Sequence, residues 1–438
     1  MTQPSNETSR HSQWMAFIAA FMGWMFDGVE MGLFPLVATP AIEAMLGPQH
    51  LASKMPWITG ITAAFLIGAA AGGILFGWLG DRIGRVKAMS LSVLTYSIFS
   101  GLCGFSQTPW DLGALRFMAA LGMGGEWALG VALIMEVWPA ASRPTLAGFI
   151  GVASNTGFVL TGLMGLGLAQ VIGDLGAVLK AVHVPESIAK ALLDHSGWRL
   201  LMFLGATPAL LTLFIQFFVP ESKRWQHSAA TATRKNRIGD IFAPGIARMT
   251  ILGTILAAIV LLGTWGSVQQ ISNWAAKLSP KDPSARAMCV LMSGAGAIIA
   301  SLLAAWLAQL TSRRWSYFVF STLSLASCQF LFRSDIPYGG YFLFWVFLVG
   351  GATASFYGWL PLYLPELFPT RCRATGQGFA YNIARIVAAV GTVITGLVLN
   401  IESAAGWANL CAVVSLVYLV GMVFIWFCPE TKGKPLPE

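Results

Sequence analysis

Twelve apolar stretches, each long enough to cross a lipid bilayer, constrain this chain more than any other feature. They fall at about residues 14–37, 57–79, 88–106, 110–138, 145–172 and 198–219, then at 249–276, 286–309, 316–333, 338–364, 374–400 and 403–427. A hydrocarbon core takes about 20 residues of helix, because lipid offers no partner to an unpaired peptide group. With 56% hydrophobic and 11% charged residues among 438, the chain has too much apolar surface to hide in a soluble core. The expected fold class is therefore an all-α polytopic membrane protein of 12 transmembrane helices. Two six-helix bundles are expected over 1–219 and 249–438. The polar, basic stretch between them, 220–248, contains SKRWQHSAATATRKNR and reads as a linker.

The lead MTQPSNETSRHSQ is short and polar and precedes no small-residue cleavage site, so the first span is expected to be retained. Six cysteines without CxxC spacing indicate neither a disulfide framework nor a metal site. Segments that would face the cytoplasm with both termini inside hold 17 of the 27 Lys and Arg, against 8 in the outer loops. The positive-inside rule thus expects both termini in the cytoplasm, in a plasma (inner) membrane. The net charge of +8 is then a topology signal and calls for no nucleic acid.

The halves repeat. A shift of 230 residues lays MEVWPAASRPTLAGF (135–149) over PELFPTRCRATGQGF (365–379), matching Glu136 with Glu366, Pro139 with Pro369, Arg143 with Arg373 and Thr145 with Thr375. PESK at 220–223 and PETK at 429–432 close the two halves alike. Such a duplication implies pseudo-symmetric bundles about an axis normal to the membrane, with a central site between them.

Five charges fall well inside spans, away from their ends. Asp27 and Glu30, in FMGWMFDGVEMGLF, lie three residues apart and can share the bundle-facing side of the first helix. Two carboxylates in low dielectric do not both ionise comfortably, which suits one of them to exchanging a proton; a structural pairing with Arg116 or Arg385 is the alternative. Glu126 in GMGGEW reads either as a further protonatable group or as counter-charge to an arginine, beside packing glycines 122, 124 and 125. Arg116 sits nearer the outer end of the same span, as gate, counter-ion or substrate contact. Arg385 lies about mid-membrane and calls for an anion, either from the protein or from a solute. Tyr381 and Asn382 sit one turn below it, and the 230-residue shift pairs it with Asn155. In WGSVQQISNW, Trp265, Gln269, Gln270 and Asn273 form a polar patch suited to a hydroxylated or amide-bearing solute, or to interhelical hydrogen bonds.

GWLGDRIGRVK (77–87), RFMAALGMGGEW (116–127), PESKRW and PETKG together resemble the signatures of the major facilitator superfamily of secondary transporters, over essentially the whole chain. The resemblance implies the major facilitator fold. GMGGEW and YLPELFPTRCRATGQGFAYNIAR (363–385) look most like the sialate and monocarboxylate (metabolite) proton-symporter group, which implies uptake of a small organic anion with protons. The paired glutamines of the seventh span are similar to those of sugar porters, which keeps a neutral-metabolite transporter as the alternative.

In the loop 77–87, Asp81 among Arg82, Arg85 and Lys87 reads as an acid whose pairing must break when the halves rock. The bases themselves also serve as topology charges. Glu136 with Arg143, and Glu366 with Arg373, are expected as partners at the same face. The equivalent loop of the second half, AWLAQLTSRR (305–314), lacks the Asp.

No HExxH, GxSxG or nucleotide loop is present, so an enzyme is not indicated and no cofactor is expected. A transporter-like nutrient sensor would usually need a signalling extension, and the tails are short. The expected partners are a small-molecule substrate, a proton and the bilayer, with the protein as a monomer. The outer stretch 173–197 suggests short amphipathic helices at the membrane surface.

Overall fold

The computed structural model describes residues 9–47, 50, 53–181, 183–231, 236–282, 284–394 and 403–438. Parts of the linker (232–235) and of the eleventh expected span (395–400) lie outside the described residues. The described elements are helical throughout. In chain order they are α1 (Arg10–Leu46), α2 (Lys54–Ile83), α3 (Arg85–Leu102), α4 (Pro109–Val137), α5 (Arg143–Ala181), α6 (Glu186–Leu204), α7 (Ala209–Phe218) and α8 (Lys223–Thr231). They continue with α9 (Ala247–Gly266), α10 (Ile271–Leu278), α11 (Ala285–Leu310), α12 (Arg313–Arg333), α13 (Gly340–Glu366), α14 (Arg373–Val393), α15 (Ala404–Ser415) and α16 (Val417–Phe424).

Among the described residues, ten stretches are long and apolar enough to cross a membrane, with α6–α7, α9–α10 and α15–α16 each counting as one. The two further expected spans are α12 and α14. Polar residues buried along them explain their lower hydropathy: Ser316, Ser321 and Ser324 in α12, and Gln377, Asn382 and Arg385 in α14. A helix enclosed by other helices can carry polar groups that a lipid-facing helix cannot.

Local chemistry sets the helix ends. Thr108 and Asp111 form a reciprocal capping box at the start of α4, with Pro109 in the first turn. Ser9, Ser312 and Ser403 cap α1, α12 and α15. Gly84, at φ 111°, makes the turn between α2 and α3 that a side chain would strain. Small residues let the spans approach backbone to backbone. A Cβ on Gly28 of α1 would overlap the Ser154 carbonyl of α5, and one on Gly124 of α4 would overlap the Ala69 carbonyl of α2.

The outer stretch 173–197 holds the end of one long helix and one short, largely exposed helix. α5 runs on to Ala181, and α6 starts at Glu186 and breaks its helical geometry at Asp194–Gly197. Between Phe218 and Ala247 the described chain forms α8 and a 3-10 turn at Ile238–Phe242.

Candidate functional site

A cavity lies among α1, α5, α9, α11, α13 and α14. α1 and α5 supply Trp24, Met31, Ser154, Asn155 and Phe158; the elements from α9 onward supply Thr264, Trp265, Gln269, Thr353, Tyr357, Tyr381 and Arg385, among others. A second space shares Asn155, Phe158, Val268, Gln269 and Ser293 with it and reaches Ser272 and Cys289.

Of the expected substrate residues, Arg385, Tyr381, Asn155, Gln269 and Trp265 border the central cavity. The guanidinium of Arg385 lies 5.4 Å from the Tyr381 ring centroid, and its Nη1 is buried without a hydrogen-bond partner among the described residues. Tyr381 stacks on Trp127 at 4.2 Å between centroids and meets Trp24 edge-on at 6.3 Å. The arginine therefore stands on an aromatic shelf that keeps water away from one side of it.

Four expected contacts fall elsewhere. Asn382 donates to the carbonyls of Gly124 (3.1 Å) and Gly378 (2.9 Å), so it ties α14 to α4 and does not line the cavity. Gln270 donates to the Trp265 carbonyl and accepts from Asn273 at 3.1 Å, so these two amides satisfy each other. Arg116 forms a buried ion pair with Glu30 and lies over the rings of Phe34 and Phe65. Ser100 donates to the other Glu30 oxygen at 2.5 Å. Glu30 and Arg116 are thus a closed unit within the first half, away from the cavity.

Asp27 and Glu126 are fully buried, and none of their four carboxyl oxygens has a hydrogen-bond partner among the described residues. A Glu126 oxygen occupies the space beside Gly23, one turn from Asp27, which has both Glu126 and Arg385 within electrostatic range. Neither acid lines the cavity. Tyr96 of α3, its hydroxyl likewise unpartnered, faces the same cluster. The expectation that Asp27 and Glu30 share one bundle-facing side is corrected: Trp24 and Met31 present α1 to the cavity, Asp27 turns toward Glu126 of α4, and Glu30 takes the structural pairing with Arg116. A buried carboxylate without a partner is costly, so this cluster is chemically incomplete as it stands.

A second constellation closes the basic end of the bundle. Asp81 accepts from Arg85 Nη1 at 2.7 Å and from the backbone of Ala374 and Thr375 at the start of α14. Arg85 also donates to Glu136 at 2.9 Å and to the Thr370 carbonyl at 2.8 Å. Arg373 donates to the same Glu136 oxygen at 2.9 Å. The expected neighbour pairs are therefore exchanged: Glu136 takes Arg85 and Arg373 in place of Arg143, and Glu366 takes Arg313 at 2.8 Å in place of Arg373. The reason is geometric, since α4 runs into the connection to α5 while α14 folds over α2. Arg143 Nε is buried without a partner, and Arg82 instead lies over the Trp78 ring.

Sequence reasoning missed Trp24, Trp127, Thr353, Tyr357 and Tyr96. Trp24 and Trp127 adjoin charges already singled out, at helical spacing from Asp27 and next to Glu126; Thr353, Tyr357 and Tyr96 carry no comparable signal.

Glu221 and Glu430, from the repeated PES and PET segments, cap helices. Glu221 accepts from the backbone of Arg85 (3.0 Å) and Val86 (3.1 Å), and Glu430 from Arg313 (3.1 Å) and Arg314 (3.3 Å). Burial pushes the Glu221 carboxyl above its usual range, and the amides of Ser222 and Val86 offset this only in part. At Glu430 burial acts the same way, but the amides of Lys432, Arg313 and Arg314 outweigh it and hold the carboxyl low.

Residues 15–238 and 257–433 match the family described as "Sugar (and other) transporter". An inner membrane metabolite transport protein, YgcS of Escherichia coli, is 28% identical over 95% of this chain and 91% of its own. A cis,cis-muconate transport protein of Acinetobacter baylyi is 25% identical over 98% of each. The fold is similar to that of the proton:xylose symporter XylE, with a TM-score of 0.72 at 18% identity over 97% of this chain and 98% of that one. The chain belongs to the sugar (and other) transporter family, has the major facilitator fold, and is a multi-pass membrane transporter, not an enzyme.

Proposed function

We propose that this protein takes up a small organic anion, a carboxylate or sugar acid, together with protons, by alternating access in an inner membrane with both termini cytoplasmic. The observation that carries the reading is Arg385: a buried guanidinium at the cavity wall with a free Nη1. A substrate carboxylate would complete it. Trp24, Tyr381 and Phe158 give the cavity apolar, flat surfaces suited to an unsaturated or aromatic acid. The muconate relative is named for such an acid.

Asp27 and Glu126 supply the proton site. They lie beside the cavity without lining it, so a proton bound there and an anion bound at Arg385 interact through charge alone. Binding of both neutralises the centre and permits the halves to rock, opening the ion pairs around Asp81 and Glu136. The functional unit is a monomer. Gln269, Thr264 and Thr353 on the same wall favour a neutral polyol as the second reading.

The test is uptake into proteoliposomes of labelled cis,cis-muconate, an aromatic monocarboxylate, a sugar acid and a neutral sugar, with and without an inward proton gradient. The proposal expects one acid to accumulate only with the gradient, Asp27→Asn to abolish accumulation, and Arg385→Ala to abolish binding. Carriage of the neutral sugar with affinity unchanged in Arg385→Ala would overturn it.

A further inference from the structure

PETK and the residues after it play no part in the cycle just described, yet they reach its ion pairs. Thr431 Oγ1 donates to Glu366 at 2.5 Å, and Lys432 Nζ donates to the Leu310 carbonyl at 3.0 Å. Leu436 is buried in the same apolar cluster as Leu367, Phe368 and Cys372. The Pro437 carbonyl then accepts from Arg373 Nη2 at 2.8 Å and from the backbone N–H of Thr370 at 3.3 Å.

Arg373 is thus held three ways: by Pro437, by the Pro365 carbonyl at 3.3 Å, and across the halves by Glu136. Two of these contacts belong to its own half and set the direction of the guanidinium; the third bridges to α4. The Thr370 carbonyl, on the residue whose N–H meets Pro437, accepts from Arg85 of the first half. A segment of four residues therefore orients both second-half groups that meet Arg85 and Glu136. A planar guanidinium loses directional bonding when one of its fixed acceptors is withdrawn.

We propose that residues 435–438 act as a strap that positions Arg373 and Thr370 for their inter-half contacts, and so favours the state closed at the basic end. The proposal rests on the alternating-access reading above. Leu436 anchors the strap and the Pro437 carbonyl does the positioning; neither touches substrate.

Cys372, buried between Thr370 and Arg373, is a built-in reporter of closure. In a protein whose other five cysteines are replaced by serine or alanine, alkylation of Cys372 by a maleimide is timed without substrate. The variants are removal of 435–438, Leu436→Asp and the milder Leu436→Ala, each also made in an Arg373→Ala background. The strap expects labelling roughly tenfold faster on removal of 435–438, the scale of losing a charge-assisted hydrogen bond. It expects no further gain from that removal when Arg373 is already alanine. Unchanged rates in all three variants overturn the proposal, as do gains that add in full to that of Arg373→Ala. Failure of the alternating-access reading is separately visible, as a Cys372 rate in the unaltered tail that ignores substrate and proton gradient together.

Discussion

Asp81 of α2 caps the N-terminus of α14: its two carboxylate oxygens accept the N–H groups of Ala374 at 3.2 Å and Thr375 at 2.8 Å, and the Thr375 hydroxyl at 2.5 Å. An anion at a helix N-terminus meets both unpaired amides and the positive end of the dipole. Here the cap comes from the other half of the molecule, so it exists only while the two halves are together at this end. The second half has Gln309 in the corresponding loop and Arg143 is left with an unpartnered Nε. The duplicated halves thus meet through an asymmetric cap.

Asp81→Ala removes that cap and leaves Arg85 with Glu136 as its carboxylate partner, beside the Gly80 and Thr370 carbonyls. Each such cap is worth about 1–2 kcal/mol, so the closed basic end should lose roughly tenfold or more in occupancy. Uptake at low substrate concentration should fall accordingly, with Asp81→Asn intermediate because one acceptor oxygen survives. Thr375→Val, which spares the amides, should lose less than Asp81→Ala. The measurement is initial uptake alongside Cys372 labelling.

The Glu30–Arg116 pair should behave as a structural unit. Arg116→Ala leaves a buried carboxylate unpaired and should cost about 3–5 kcal/mol, seen as a large drop in unfolding temperature in detergent. Glu30→Gln combined with Arg116→Met should recover most of that stability. If the double variant also retains proton-driven uptake, Glu30 carries no proton; loss of uptake in a stable double variant would return Glu30 to the coupling site.

Asn382 and Arg385 lie three residues apart on α14 and should separate cleanly. Asn382→Ala removes its hydrogen bond to α4 and should leave substrate affinity within about twofold while lowering stability by about 1 kcal/mol. Arg385→Ala should lower affinity for the anion by about tenfold to a hundredfold, as expected for a charge-assisted contact. Equilibrium binding and thermal unfolding on the same samples decide it.

The two capping glutamates should respond to pH in opposite senses. Glu221 is raised in the folded protein, so folding takes up a proton there. Stability relative to Glu221→Gln therefore rises as pH falls through that raised value, and levels off below the ordinary glutamate range. Glu430 is lowered, so its contribution is present above the ordinary range and is lost only as pH falls through the depressed value. Thermal unfolding of wild type, Glu221→Gln and Glu430→Gln between pH 8 and pH 4 should show the first difference changing across this range and the second staying flat until its acid end.

Apolar length announced most of the spans, because lipid penalises every other way of crossing it, while α12 and α14 carry buried polar residues that lower their hydropathy. The repeat located the pairs Glu136 with Glu366 and Arg143 with Arg373 as counterparts, and Arg385 was legible as a cavity cation because a charge at mid-membrane must have a reason. Partner choice was not legible. Glu136 and Arg143 are seven residues apart in sequence, yet Glu136 bonds Arg85 and Arg373 because three separate helices deliver those groups to one point. The second capping function of PES and PET was equally hidden, since a motif does not say which distant amides it will meet.

The amino-acid sequence by itself determined the membrane setting, the helix count and duplication, and which residue types had to be buried as charges. Those follow from local quantities: apolar length, helical period and the cost of a charge in lipid. Only the tertiary structure decided that Asp27 turns toward Glu126, that Glu30 is held by Arg116, and that Asn382 pins helices while Arg385 faces the cavity. Neighbouring positions on one helix point in directions about 100° apart, and which direction meets the cavity, another acid or a backbone carbonyl depends on how closely glycines let the surrounding helices pack.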